Sequence, residues 1–147
     1  MNKLILATVL CFTALFFTNC DKSDDPPAPA PKTKTELISQ GTWKFSTAYA
    51  GTTDVSNAPQ LTCFKDNIIT FSASLTGNIN EGTSICSPTT AGTFNWNFAS
   101  SESMLHISTV LITGGSNDFT LVSLTETQLV LSQNYPPYGT VTVTFTH

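Results

Sequence analysis

The sequence predicts an all-β domain: an antiparallel up-and-down β-barrel of about eight strands, placed after an apolar leader and a proline-rich tether. Three observations carry this reading. From Gly41 onward, apolar and polar side chains alternate with a period of two, as half-buried strands require. Turn-forming stretches separate the alternating segments, and no long segment has helical periodicity. Charged residues make up only 11% of the chain, so solubility falls to Thr, Ser and Asn, which suit the outer face of a sheet.

The 147-residue chain starts with Lys3 and an apolar run from Leu4 to Phe17. At 14 residues the run is shorter than the roughly 20 a bilayer-spanning helix needs, and has the length of a signal-peptide core. It ends in Phe17-Thr18-Asn19-Cys20, and the acidic stretch "DKSDD" follows. Position, hydrophobic length and downstream composition predict a lipoprotein signal peptide over residues 1–19 and lipidation at Cys20. The alternative is an ordinary secretory signal in which Cys20 is incidental. Each buried methylene contributes about 0.8 kcal/mol, so two or three acyl chains such as palmitate would hold the protein on a lipid membrane. The segment resembles the relaxed lipoboxes of Bacteroidota, with Phe17 and Asn19 where a stricter motif has Leu and Ala or Gly. "DKSDD" resembles an acidic tag for export to the outer leaflet, and reads equally well as a solvated spacer. The expected location is the cell envelope, lipid-anchored to the outer membrane and either periplasmic or surface-exposed.

Residues 20–35 form the tether, with Pro26, Pro27, Pro29 and Pro31 and no large apolar side chain. Proline-rich chain extends about 3.1 Å per residue, a reach of roughly 40 Å. The folded domain is expected over residues 36–147, with one helical turn between Lys34 and Gln40.

Each strand then has its own alternation. Trp43, Phe45 and Thr47 share a face in the first, and Ile69, Phe71 and Ala73 in the second. "TGN" at 76–78 reads as a turn, with a short third strand past Ile79. "TFNWNFA" sets Phe94, Trp96 and Phe98 against Thr93, Asn95 and Asn97. Leu105 and Ile107 mark the fifth strand; Phe119, Leu121 and Ser123 the sixth; Leu129 and Leu131 the seventh. Val141, Val143 and Phe145 alternate with threonines in the last. "GTTDVSNAP", "TGGSND" and "NYPPYG" supply turns. Such a succession of short strands suits a barrel or a sandwich. The barrel is favoured because closure removes edges that a weakly charged sheet defends poorly.

Net charge is −4, and from residue 35 onward Lys44 and Lys65 face seven acids, so nucleic acid is excluded as a partner. Cys11 lies in the leader and Cys20 is assigned to lipid, which leaves Cys63 and Cys86 as a disulfide pair in an oxidising compartment. The two histidines, His106 and His147, are remote from the cysteines in sequence, so no metal site and no cofactor is expected. The patterns carry no indication of oligomeric state.

"GTW" at 41–43, "CFKDNIITFSASLTG" at 63–77, Cys86, "GTFNWNF" from 92 and "LVSLTETQLVLS" from 121 together resemble the lipocalin-like domain of Bacteroidota lipoproteins. The resemblance covers nearly all of residues 36–147 and implies a compact antiparallel barrel with a mouth at one end. In true lipocalins a late-strand arginine packs over the Gly-x-Trp tryptophan. This chain has no arginine, so an apolar group is expected over Trp43.

The candidate ligand cavity is lined by Trp43, Phe45, Phe71, Phe94, Trp96, Phe98, Phe119 and Phe145. The same rings would equally fill the interior, as side chains do in small barrels. Tyr135 and Tyr138, flanking a Pro-Pro turn, are candidate exposed loop contacts for glycan or protein. No G-x-S-x-G or H-E-x-x-H pattern occurs, and His106 sits alone on its strand, so no catalytic residue is expected. Asp66 is expected to bond to backbone near a turn. The function read from the chain is a non-enzymatic, membrane-anchored binder of a small apolar or amphipathic ligand. The alternative is a surface interaction module with a filled core that recognises glycan or protein through its loops.

Overall fold

The computed structural model describes residues 29–147. The predicted signal peptide, Cys20 and most of the tether lie outside the described residues. Pro31–His147 forms one compact unit. It opens with helix α1 (Lys34–Ile38), inside the Lys34–Gln40 stretch where one helical turn is expected. Thr33 caps the helix: its Oγ accepts from the Glu36 N–H while the Glu36 carboxylate accepts from the Thr33 N–H, so two orphan donors are satisfied. Ile38 is buried, and its carbonyl accepts from Trp43 Nε1 at 2.7 Å.

Nine strands follow among the described residues: β1 (Thr42–Ala50), β2 (Thr53–Asp54), β3 (Ile68–Phe71), β4 (Thr76–Asn80), β5 (Gly92–Ala99), β6 (Met104–Ile107), β7 (Asp118–Leu124), β8 (Gln128–Asn134) and β9 (Thr140–Thr146). All pairings are antiparallel. Apart from β2, neighbours in the sheet are neighbours in sequence, and β1 pairs with β9 to close the ring. The ring therefore holds eight strands, and β2 is a two-residue arm that pairs only with the end of β1. Closure gives every long strand two partners and leaves no extended free edge.

Three local departures from the sequence pattern have physical causes. A bulge between Phe45 and Thr47 shifts the register, so Ala48 turns inward and is buried while Thr47 is not. "TGN" lies inside β4, paired with β3 and β5, and the reversal occurs one step earlier over residues 72–75. Leu75 takes the left-handed φ of 64° there, and its N–H donates to the Ser72 carbonyl. "GTTDVSNAP" holds β2 and leads into a 3-10 turn, Pro59–Phe64, instead of forming a simple loop.

The two ends of the barrel differ. One carries α1 and the tight reversals at 72–75, 100–103 and 125–127. Lys34 and Gln40 bond to the carbonyls of Glu102 and Glu126 there. The other end carries the long segments 51–67, 81–91, 108–117 and 135–139. At the helix end the ring of His147 covers Trp43, with centroids 4.0 Å apart, and His147 Nδ1 lies 2.8 Å from the Thr42 carbonyl. The expected apolar cover over Trp43 is thus a polar aromatic ring. It can stack on the indole and bond to backbone at the same time.

Candidate functional site

The eight aromatic candidates face inward from five strands. Trp43, Phe71, Phe94, Trp96, Phe119 and Phe145 are buried; Phe45 and Phe98 are partly buried and pack against the same cluster. They meet one another edge-on. Phe71 lies 5.4 Å from Phe94 and 5.5 Å from Trp96, and Trp96 lies 5.4 Å from Phe98. Such edge-to-face contacts are the favoured arrangement of aromatic quadrupoles. Trp96 Nε1 donates to the carbonyls of Ser72 and Thr76, so its one polar atom is satisfied as it enters the core. Phe94 occupies the space that a side chain at Gly77 would need: a Cβ there would sit 2.2 Å from Phe94 Cζ. These rings interdigitate.

The loop-bearing end is covered as well. On β1, β3 pairs only with Thr42–Lys44, and the 3-10 turn lies just ahead of the start of β3. Its Leu61 and Phe64 are buried, and Phe64 packs edge-on against Phe45 (5.7 Å) and Phe145 (5.8 Å). From segment 108–117, Leu111 and Ile112 are buried in the same core. Nothing in the two-residue alternation marks these four side chains, because they come from irregular segments.

The covering loops are tied to one another. A disulfide joins Cys63 of the 3-10 turn to Cys86 of segment 81–91, with Cα atoms 5.1 Å apart. Tyr138 donates to Gln60 Oε1 at 3.0 Å, and Tyr135 donates to the Thr113 carbonyl at 2.7 Å. Tyr135 is buried, with its ring parallel to that of Tyr138, which corrects the expectation of two exposed tyrosines. Burial pushes the Tyr135 hydroxyl pKa up, with Tyr138 adding to the effect. The bond to the Thr113 carbonyl holds the Tyr135 ring against segment 108–117.

Two acids organise segment 81–91. Glu81 is 4% exposed and forms no salt bridge among the described residues. Thr90 donates from both N–H and hydroxyl to Glu81 Oε1, at 2.6 and 2.8 Å, and the Thr89 hydroxyl donates to Oε2 at 2.7 Å. Burial acts to raise the Glu81 pKa, but these bonds and one from the Cys86 backbone outweigh it, so the carboxyl lies below its ordinary value. Asp66 Oδ2 accepts from the Thr83 N–H and hydroxyl and from the Ser84 N–H, the backbone role expected for it. The Thr83 N–H is the largest cause of its lowered pKa. Glu81 is the organising residue the sequence pattern did not single out. The only signal available was an acid followed by a Thr-Thr pair eight residues on.

Between these loops lie two clefts. One, of about 270 Å³, runs between Pro88–Thr90 and Thr109–Gly114. The other, of about 260 Å³, is bounded by Pro59, Gln60, Cys63, Ser87 and Thr113. Thr113 belongs to both, and its Oγ1 is buried without a hydrogen-bond partner. His106 is elsewhere, on the outer wall, with Nδ1 2.6 Å from Asp118 Oδ1 across the β6–β7 ladder.

The comparison with known proteins fits this architecture. A family model described as a lipocalin-like domain matches residues 40–131, from just before β1 to within β8. The chain belongs to the lipocalin-like domain family. A search of curated proteins finds no match. The lipocalin-like match stops short of β9, yet β9 closes the ring by pairing with both β1 and β8.

Proposed function

We propose that this lipocalin-like protein is a non-enzymatic binding module, tethered to a membrane through an acylated Cys20, that engages its ligand at the loop-bearing end of the barrel. The observation that supports this most is the packing of the interior. Phe94 stands where a Gly77 side chain would be, and Phe64, Leu61, Leu111 and Ile112 close the end where a ligand would enter. Clefts lie among the loops as well as along β3–β5, and those among the loops are the ones whose walls are braced by a disulfide and two tyrosine hydroxyls. Support for binding over catalysis comes from placement. His106 stands on the outer wall bonded to an acid, and the buried Glu81 is committed to threonines.

Trp43 and Trp96 make the interior self-reporting. Titrating the full-length protein with a fatty-acid and sterol panel should leave tryptophan emission unchanged. A saturable shift of the wild-type emission, by a ligand that calorimetry shows still bound when Thr109→Trp fills the loop cleft, would put the ligand inside and overturn the reading. Metabolic labelling with an alkyne analogue of palmitate tests the tether: label should enter the wild type and be lost in Cys20→Ser.

A second reading, an amphipathic ligand reaching into the barrel, is favoured by one observation. Asn67, at the entry to β3, is 1% exposed, and neither its amide nitrogen nor its oxygen has a partner. Buried amides without partners cost about 1–3 kcal/mol, which a ligand headgroup or an ordered water would recover.

A further inference from the structure

We propose that the two clefts flanking Thr113 form one groove that binds a neutral, hydroxyl-rich ligand, a saccharide. The proposal rests on the loop-end reading above and names its ligand class. Each cleft alone is below the roughly 300–1,000 Å³ of ordinary ligand sites, and the two together fall within it. They adjoin: Thr113 walls both, and the consecutive residues Ser87 and Pro88 line one each.

The lining selects by charge. No charged residue lines either cleft among the described residues, so nothing there would compensate a phosphate or carboxylate. The nearest acid, Glu81, is occupied by Thr89 and Thr90.

The hydrogen-bonding groups are set in fixed senses. The Thr89 and Thr90 hydroxyls give their protons to Glu81, so only their lone pairs remain, and both act as acceptors. Gln60 Oε1 is taken by the Tyr138 hydroxyl, so Gln60 offers its amide N–H groups as donors. Thr113 lines both clefts, but its Oγ1 is buried, so the donors and acceptors that face a ligand are those of Gln60, Thr89 and Thr90. Sugar hydroxyls donate and accept at once and match this mixture. Hydrocarbon would leave the same groups dehydrated and unpaired, at a cost for each. Pro59, Pro88 and Val110 give the apolar spots that the C–H faces of a pyranose can cover. The disulfide at the base of the groove holds its walls before binding, which lowers the ordering cost.

The test uses the full-length chain in a zwitterionic detergent, titrated calorimetrically with neutral tetrasaccharides of gluco-, manno-, galacto- and xylo-configuration. At least one should bind saturably. Gln60→Leu, which removes the amide donors, should weaken it about tenfold while changing the melting temperature little, since the one bond it loses in the protein, from Tyr138, is exposed. Thr109→Trp, which fills the groove, should abolish binding. Absence of binding by every sugar at concentrations on the order of 10 mM, or binding indifferent to both variants, would overturn the proposal. The fatty-acid and sterol panel separates this from the broader reading. If one of those binds and Thr109→Trp blocks it, the saccharide class falls while the loop-end site stands. If one binds regardless of Thr109→Trp and shifts the tryptophan emission of the wild type, both fall.

Discussion

Removing the Cys63–Cys86 bridge tests how the loop-bearing end is held. The two cysteines are 23 residues apart in sequence. In the chain-entropy model, cross-linking a loop of that length withdraws about 11 cal/mol/K from the unfolded ensemble, so the bridge contributes about 3.4 kcal/mol at 25 °C. For a unit of about 117 residues (Pro31–His147) the unfolding entropy is about 0.25 kcal/mol/K. The double variant Cys63→Ala/Cys86→Ala should therefore melt about 14 °C lower. Near-ultraviolet circular dichroism follows this through Trp43 and Trp96, and wild type in dithiothreitol should approach the same value. The loss should also be uneven in place. The 3-10 turn, Pro59–Phe64, belongs to no strand ladder, and the bridge is anchored within it at Cys63. The amides of residues 61–67 should thus lose hydrogen-exchange protection before those of β8 and β9, which pair along their whole length. A drop under about 4 °C, equivalent to about 1 kcal/mol, would refute the assignment of the bridge as the main brace.

Gly77→Ala should be among the most damaging single changes. Its Cβ would meet Phe94 ring atoms at 2.2 and 2.4 Å and the Thr70 carbonyl oxygen at 2.6 Å, and a backbone atom cannot step aside. A loss of about 3 kcal/mol by urea denaturation is expected; a neutral result would mean the interior has slack. Glu81→Gln should cost about 1–3 kcal/mol at neutral pH, because a neutral amide accepts the threonine bonds less well and brings donors of its own. The pH dependence has a defined sign. Glu81 and Asp66 have folded pKa values below their ordinary 4.5 and 3.8, so the unfolded chain binds more protons in that range. Wild-type stability should be flat above about pH 5.5 and fall as pH drops through 4.5, and the Glu81→Gln penalty should shrink over the same interval. A penalty that stays constant down to about pH 3 would show that the carboxylate charge is not what segment 81–91 relies on. Asn67→Leu should stabilise by about 1–3 kcal/mol if the buried amide has no partner. A loss in chemical denaturation would instead show that a water or ligand satisfies it, in favour of the second functional reading.

The inward-facing residues of the barrel were legible because alternation reports which way a strand side chain points. Phe94, Trp96, Leu105, Ile107, Leu129, Leu131, Val143 and Phe145 all face where the pattern puts them. Alternation does not report what lies opposite. A hollow barrel and a filled one share the same period, and the difference here rests on Gly77, which as a sequence letter reads as a turn. The loop-bearing end was the least legible part for a related reason. Leu61, Phe64, Leu111 and Ile112 are buried by tertiary contact from irregular segments, and Tyr135 is held against one of those segments. Cys63 and Cys86 were readable as a pair, but not as the clamp on a cover, because the cover itself has no period. This is why the family resemblance, which travels with the strands, supports the fold more firmly than it supports a ligand inside it. The strands decide that there is a barrel. The loops between them follow no repeating pattern, and in this chain the cover of the barrel end, the two clefts at Thr113 and the disulfide all lie in those loops.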